Sequence, residues 1–543
     1  MQKKQVVALT LGLMTLCSTS FAAQALEDHS QKAQELARPA AQQAVDNQTP
    51  TADVGKQEVR FHVASLDVES EIKIPAKVIR QATAKYNNRD VVFSDLNRVT
   101  DALTQYVRSH GYPAATAYIP AQSSTDGVIQ VKVTAGRIGQ VLFDGKSRMR
   151  QSKLQSAASR LKPGDIITTK NLETVLYTLN DVGGVQAVGV LSPGKAFGTS
   201  DITIKVQEGK DDSVMLYAEN YGSRAAGRYR ESLVYNRAQM NGMGDSMQLS
   251  GLTSDENMHN YSFRYQTLAG HTDSLVGLSV SRMTYDLGGD FNDLDATGKA
   301  KTYSLFGKTP FYRTTNGGLF VTYGFDQREL TDDVASLDVN KDIWSAHLGF
   351  EGYRRLGKSL WNYELTGYHG HLNPNSSDAT MMTELMRTGG DFNKGTASLS
   401  YQQGFTNKWD MQLKLQGQAA SKNLDGSEQM FLGGVSGVRA YPQGVGAGDV
   451  GVLGTWELRY HPQSQWTLST YYDGGHVAAR KDKALSDTTY NLRGWGLGLT
   501  YAEPANYFLR LDYARRLGFE NELTGDKDAD DQGRFWFLAG KVW

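Results

Sequence analysis

Cysteine is all but missing from this sequence. One residue of 543, Cys17, carries a thiol, and it falls in a segment with the marks of an export leader. The mature chain is therefore expected to hold no disulfide framework and no cysteine nucleophile. Proline is scarce as well, 12 residues, where roughly 5 % is usual. Net charge is lacking: 57 Lys+Arg against 58 Asp+Glu leave −1, without the basic excess of a nucleic-acid-binding surface. Beyond the leader no run of about eighteen apolar residues occurs, so no transmembrane helix is expected. No GxSxG, HExxH or phosphate-loop pattern is present, and an enzyme is not expected. What is plentiful is glycine, 56 residues, with 27 Tyr, 19 Phe and 8 Trp. The mean hydropathy of −0.45 speaks against a membrane protein built of helices and leaves one built of strands open.

Lys3 and Lys4 precede the apolar run Val6–Cys17 and the small-residue stretch Ser18–Ala25. Basic, apolar and small regions in that order make a secretory signal peptide, residues 1–25, with cleavage after Ala22 or Ala25. An apolar run of about twelve residues is too short to anchor in a ~30 Å hydrocarbon core. Leu16 stands where a lipidation site would want a small residue. In residues 26–48, Ala33, Leu36, Ala37, Ala40, Ala41, Ala44 and Val45 recur at helical spacing, interrupted by Pro39, as in a weakly amphipathic helix. Residues 49–57 read as a linker.

Residues 58–209 mix helix and strand in two successive βααββ modules, 58–135 and 136–209. In the first, Val59, Phe61 and Val63 alternate as a strand, and Pro75 opens a helix with Val78 and Ile79. Ser94 is the expected cap of a second helix bearing Leu96, Val99, Leu103, Tyr106 and Val107, which Gly111 ends. Strands at Thr116–Ile119 and Gly127–Val133 follow. In the second, Val141–Phe143 forms a strand and Leu154–Leu161 a short helix. Leu172, Val175, Leu176 and Leu179 line one face of the next helix, at i, i+3, i+4 and i+7. Strands Val185–Leu191 and Asp201–Val206 close the module.

From residue 210 to 543 the helical signal vanishes. Segments of about ten residues alternate between glycine-, Asn- and Asp-containing turns. Leu319, Val321, Tyr323 and Phe325 oppose Phe320, Thr322, Gly324 and Asp326; Trp495, Leu497, Leu499 and Tyr501 oppose Gly496, Gly498 and Thr500. A soluble β-sandwich alternates too. Aromatic ends on the apolar faces, scarce proline, the leader and the final strand Arg534–Trp543 favour a transmembrane antiparallel β-barrel. At ~20 residues per strand and connection, about 16 strands fit.

Three other patterns are set aside. Gly446-Ala447-Gly448-Asp449-Val450-Gly451 matches GxGxxG, but it follows Pro442 and runs into a strand, the wrong setting for a dinucleotide. His369 and His371 share a strand face without a third metal ligand at a defensible spacing. Asp526, Asp528, Asp530 and Asp531 lack the Gly and Glu positions of a calcium loop. No metal and no cofactor are expected.

Several motifs carry a resemblance. Gly111-Tyr112-Pro113 with Ala117-Tyr118-Ile119-Pro120-Ala121-Gln122 and Gly136-Arg137-Ile138-Gly139 form one group. Leu172-Glu173 through Leu179-Asn180, Leu191-Ser192-Pro193-Gly194 and Gly198-Thr199-Ser200-Asp201 follow in order across about 90 residues. Together they resemble the polypeptide-transport-associated (POTRA) modules of the two-partner secretion translocators. These exporters of haemolysins, filamentous haemagglutinins and contact-dependent toxins are a branch of the outer-membrane assembly-factor superfamily. Val438-Arg439-Ala440-Tyr441 resembles the tip of a long extracellular loop that folds into the lumen. Tyr472-Asp473-Gly474-Gly475 resembles the wall motif that receives it. The resemblance implies an Arg439–Asp473 ion pair, although Ala440 replaces the family's Gly, where a Cβ is disfavoured if φ must be positive. It also implies α+β POTRA modules in the periplasm before an outer-membrane barrel. Their expected partner is an unfolded secreted protein, a large β-helical exoprotein exported without nucleotide hydrolysis. Outer-membrane lipids surround the barrel, which is expected to be monomeric, and residues 26–48 plug the resting pore. The alternative is a factor that inserts other barrels.

Overall fold

The computed structural model describes residues 60–123, 126–270, 273–288, 295–518 and 533–543. The expected leader, plug helix and linker, with Cys17 and Asp526–Asp531, lie outside the described residues.

The first unit builds a three-stranded sheet in the order Ser65–Ser70, Val128–Thr134, Thr116–Tyr118, the first pair parallel and the second antiparallel. Helices Ala76–Thr83 and Phe93–Ser109 supply its other layer, with Leu96, Val99, Leu103 and Val107 meeting Val131 and Val133 in one core. Pro75 does open the first helix. Ser94 does not cap the second. The helix starts at Phe93, and the Asp95 carboxylate accepts the Val92 N–H at 3.2 Å, placing negative charge at the helix N-terminus. The expected first strand is present at Phe61–Val63, but it pairs with Arg89–Val91, outside the three-stranded sheet, whose own first strand, Ser65–Ser70, was not expected. The three residues of Arg89–Val91 are too few for alternation to declare itself.

The second unit repeats the sheet order: Arg137–Gly145, Thr199–Glu208, Val185–Pro193. Leu172, Val175 and Leu179 of helix Thr169–Asp181 pack on Ile202, Ile204 and Val206. Helix Gln151–Ala157 begins three residues ahead of the expected Leu154. This unit sits on the turns at one end of the barrel. Asp181 pairs with Arg313, whose guanidinium covers the Tyr177 ring at 4.6 Å, and Arg160 reaches Asp273 at 2.9 Å.

Asp212–Glu219 through Gly533–Val542 form a closed antiparallel barrel of 16 strands. Leu278, Leu305 and Phe325 stand side by side on its outside and are exposed, an apolar belt of the kind hydrocarbon covers. Directly paired aromatics edge it: Trp361 with Tyr401, Trp409 with Tyr460, Trp466 with Tyr501, their centroids 4.2, 4.7 and 4.8 Å apart. A second row, Trp456, Tyr472 and Trp495, lies across three strands. Trp466 and Tyr472 are six residues apart on one strand, about 20 Å at ~3.4 Å per residue. His369 and His371 hydrogen-bond Asn393 and Asp391 at 3.0 and 2.5 Å, and no metal-ligand cluster occurs among the described residues.

The ring closes where the first strand meets the last, over five register pairs, against eighteen between strands Gly317–Val334 and Leu337–Leu356. Asn220 lengthens this seam. Its side-chain amide donates to the Phe535 carbonyl at 2.9 Å and accepts the Phe537 N–H at 2.8 Å, copying one residue of strand. Each bond is worth about 0.5–1.5 kcal/mol. Asn220→Ala should thus lower the temperature at which the folded barrel converts to its slow-migrating form on semi-native gels. Asn220→Asp, which keeps only the acceptor, should fall between.

Candidate functional site in the barrel lumen

Between strands Trp409–Ala420 and Val450–Tyr460 the chain does not make a short turn. Residues 421–449 fold back inside the barrel as a hairpin. Met430–Phe431 pairs with Ala447–Gly448, and Val438 N–H bonds the Leu432 carbonyl at 2.7 Å. The hairpin ends in Val438-Arg439-Ala440-Tyr441, all at most 3 % exposed.

Arg439 lies against Asp473 of strand Trp466–Ala478. Two parallel bonds, Nε to Oδ2 and Nη2 to Oδ1, measure 2.9 Å each, and the Arg439 backbone N–H adds a third at 3.2 Å. This is the bidentate geometry for which a planar guanidinium is suited. Alternation puts Asp473 inward and its neighbour Tyr472 outward. The remaining guanidinium nitrogen faces Asp512 at 3.2 Å and Glu457 at 3.5 Å, and the Tyr471 ring lies 3.1 Å from the guanidinium carbon. Thr455 donates to Asp473 at 2.9 Å, and Arg510 to Asp512 at 2.6 Å. Burial alone would weaken the Arg439 charge. Asp473, then Asp512 and Glu457, outweigh it and hold the guanidinium well above its ordinary pKa.

The loop tip is also gripped by its backbone. Trp536 of the last strand donates Nε1–H to the Arg439 carbonyl at 2.7 Å, and its ring meets Tyr221 edge-on at 6.0 Å. Arg516 donates to the Ala440 carbonyl at 3.2 Å and covers the Tyr441 ring at 4.6 Å. Ala440 keeps a negative φ, so its departure from Gly brings no backbone strain. Its Cβ is accommodated by a glycine opposite. A Cβ on Gly494, the strand partner of Asp473, would come 2.6 Å from that of Ala440.

Of these residues the sequence marks the loop motif Val438–Tyr441 and Asp473, but not Asp512, Glu457, Tyr471, Trp536 or Gly494. Lumenal alternation selects them as inward positions but cannot say which meet the loop.

The POTRA positions do not gather into one site. Gln122 accepts the Gln130 N–H and donates to its carbonyl, both at 2.9 Å. Asn180 likewise bonds both backbone groups of Ala187, at 2.8 and 2.9 Å. Asp201 accepts from Gln140 N–H at 3.2 Å and Nε2 at 2.7 Å, beside Gly139. Leu179 is fully buried, and Tyr112 packs on the first core. Gly111 and Gly136 have positive φ, 97° and 73°. The Gln122 side chain donates to the Pro120 carbonyl, Gly194 N–H bonds Thr199, and Ser200 and Pro193 are strand partners. Tyr118 meets Phe197 edge-on at 5.0 Å, and Thr169 N–H bonds the Gly111 carbonyl at 3.0 Å, both joining the two units.

A family model described as haemolysin secretion/activation protein ShlB/FhaC/HecB matches residues 198–501, and one described as POTRA domain, ShlB-type, matches residues 61–136. The heme/hemopexin transporter protein HuxB of Haemophilus influenzae (strain 86-028NP) is 26 % identical over 505 residues, covering 90 % of this chain and 88 % of that protein. The outer membrane transporter CdiB of Dickeya dadantii (strain 3937) is 21 % identical, covering 77 % and 76 %. Among solved structures, CdiB from Escherichia coli superposes with a TM-score of 0.73 at 20 % identity, covering 97 % of this chain and 98 % of that one. BamA from Haemophilus ducreyi lacking POTRA domains 1–3 gives 0.52 at 15 %, covering 89 % and 100 %. These two structural likenesses show the fold.

Removing one partner of a buried pair costs about 3–5 kcal/mol. With Arg439→Ala or Asp473→Asn, proteinase K should therefore cut the folded protein within residues 435–441 markedly faster than in the wild type. Arg439→Lys, which keeps the charge but not the fork, should be intermediate. Gly494→Ala should loosen the tip by crowding Ala440.

Proposed function

The chain belongs to the ShlB/FhaC/HecB family of haemolysin secretion/activation proteins, and on that premise we propose how its parts divide the work of export. It is an outer-membrane translocator of the two-partner secretion class and not an enzyme. Its POTRA modules face the periplasm, where it takes up an unfolded partner exoprotein and passes it through the barrel without nucleotide hydrolysis.

In our reading residues 1–25 are removed on export, 26–48 plug the resting pore and 49–57 let that helix withdraw. Residues 58–135 and 136–209 are the two POTRA modules, and 210–543 the barrel, a monomer in outer-membrane lipid. The partner is a large β-helical exoprotein. Sheet edges in the modules take its extended segments by strand addition, where backbone bonds supply affinity and side-chain pockets specificity. Gly111, Gly136, Asn180, Asp201 and the other motif positions serve by holding those modules in shape.

The observation that carries this reading is the loop tip seated in the lumen on Asp473, Asp512 and Trp536. A pore for an extended chain must be closed at rest and able to open, and these contacts are all non-covalent. Family membership favours export over the insertion of other barrels.

The test is secretion of a large exoprotein, sought first among the genes that neighbour this one. Arg439→Ala, and separately deletion of residues 58–135, should reduce it to background while the barrel still reaches the outer membrane. Depletion of the translocator should leave other outer-membrane proteins at normal levels. Wild-type secretion by Arg439→Ala would overturn the role given to the loop tip.

A further inference from the structure

The lumenal loop has a second charged end. Its root contains the short turn Gly426–Glu428, capped by Asp425, whose carboxylate accepts the Ser427 N–H at 3.1 Å. Asp425 pairs with Lys341 at 2.7 Å. Glu428 pairs with Arg328 at 2.6 Å and with Lys394 at 2.5 Å. The Glu428 side chain is 2 % exposed, and those of Lys341 and Lys394 are 8 % and 9 % exposed. Burial would raise both carboxyl groups, but Lys341 for Asp425, and Arg328 and Lys394 for Glu428, hold them below their ordinary values.

The two ends grip different walls. Arg328, Lys341 and Lys394 lie on the seventh, eighth and tenth strands of the ring; Asp473, Asp512 and Trp536 lie on the thirteenth, fifteenth and sixteenth. The seventh and fifteenth are 15 − 7 = 8 strands apart, half of a sixteen-strand circumference. The loop therefore crosses the lumen. The carboxylates of the root meet three wall cations, of which Lys341 also lies 4.0 Å from Asp332 of its own wall, and the guanidinium of the tip meets wall carboxylates. Between them runs Leu432-Gly433-Gly434-Val435-Ser436-Gly437. Gly434 there has φ of +116°, a conformation an L side chain resists.

We propose that Asp425 and Glu428, with Lys341, Arg328 and Lys394, form a second clasp, independent of the tip, that keeps the root docked when the tip lets go. The tip then swings about the glycine-rich segment and stays tethered close to Asp473. Asp425 and Glu428 are positioning residues: they act on the pore through the loop they hold. This rests on the proposed release of the tip, but its test uses no exoprotein, so its failure and that of the export reading are distinguishable.

The experiment uses the full-length protein in cells, in a Cys17→Ser background, with a membrane-impermeant maleimide added outside. One reporter is Ser427→Cys at the root, the other Val438→Cys at the tip; the native residues are 4 % and 0 % exposed. Labelling of a protected site follows its open population. Arg439→Ala should speed labelling at 438 by about ten-fold or more and leave 427 within about two-fold of its starting rate. Asp425→Asn with Glu428→Gln should speed labelling at 427 by a similar factor. Lys341→Met and Lys394→Met should do the same, whereas Lys341→Arg and Lys394→Arg should stay near the starting rate.

Heat-modifiability confirms that each variant holds a folded barrel. If the double variant does not assemble, Asp425→Asn alone gives the same reading. The proposal is overturned if Arg439→Ala exposes 427 as strongly as 438, for then the two clasps are one. It is equally overturned if neutral root variants leave 427 protected, or if the Lys→Arg variants expose it, since charge would not be what holds the root.

Discussion

A guanidinium taken from water into a protein wall loses several kcal/mol of hydration, and only close, well-oriented carboxylates restore it. Arg439 meets that demand with a fork on Asp473, a third bond from its own backbone, and Asp512 and Glu457 on its free side. Much of the lumen follows from it. Tyr471 flattens against the cation, Thr455 donates to an Asp473 oxygen that Arg439 also bonds, Arg510 takes the Asp512 oxygen that Arg439 leaves, and Gly494 makes room for Ala440. A buried pair of this kind is a poor source of net stability but a strong determinant of position. It suits a loop that rests in one place.

The same unwillingness to leave polar groups unmatched shapes the rest of the chain. Side-chain amides stand in for strand where strand runs out: Asn220 at the seam, Gln122 and Asn180 in the two periplasmic modules. Trp536 joins these themes, since it belongs to the closing strand, packs on Tyr221 at the seam and holds the loop tip by its carbonyl. Tip and seam thus share a residue.

Much of this was legible beforehand. Alternation at period two separated Leu319, Val321, Tyr323 and Phe325 from their inward neighbours, and about sixteen strands were expected where sixteen close the ring. Helical spacing located the core of Thr169–Asp181. The errors have local causes. Ser94 has a capping side chain, but the chain turns into helix two residues after Val91, and Asp95 takes the free N–H. The strand Arg89–Val91 is too short to show a period, and Ser65–Ser70, the strand that joins the sheet, was not separated from the Phe61–Val63 strand before it. The doubt over Ala440 turned on a φ that no sequence states, and the compensating glycine lies 54 residues away on a barrel strand.

By itself, then, the sequence determined what repeats locally. Strand period, module order, aromatic edges and the two halves of the Arg439–Asp473 motif are all properties of short segments and their composition. Only the tertiary structure decided who meets whom. Asn220 reaches Phe535 across 315 positions, Arg328 reaches the loop root across roughly a hundred, and Ala440 finds Gly494. Closing a ring brings its first and last strands together, and folding a loop inward brings it against opposite walls. Neither event leaves a mark in the local pattern, because a residue that faces the lumen looks the same in sequence whether it meets water or a buried charge.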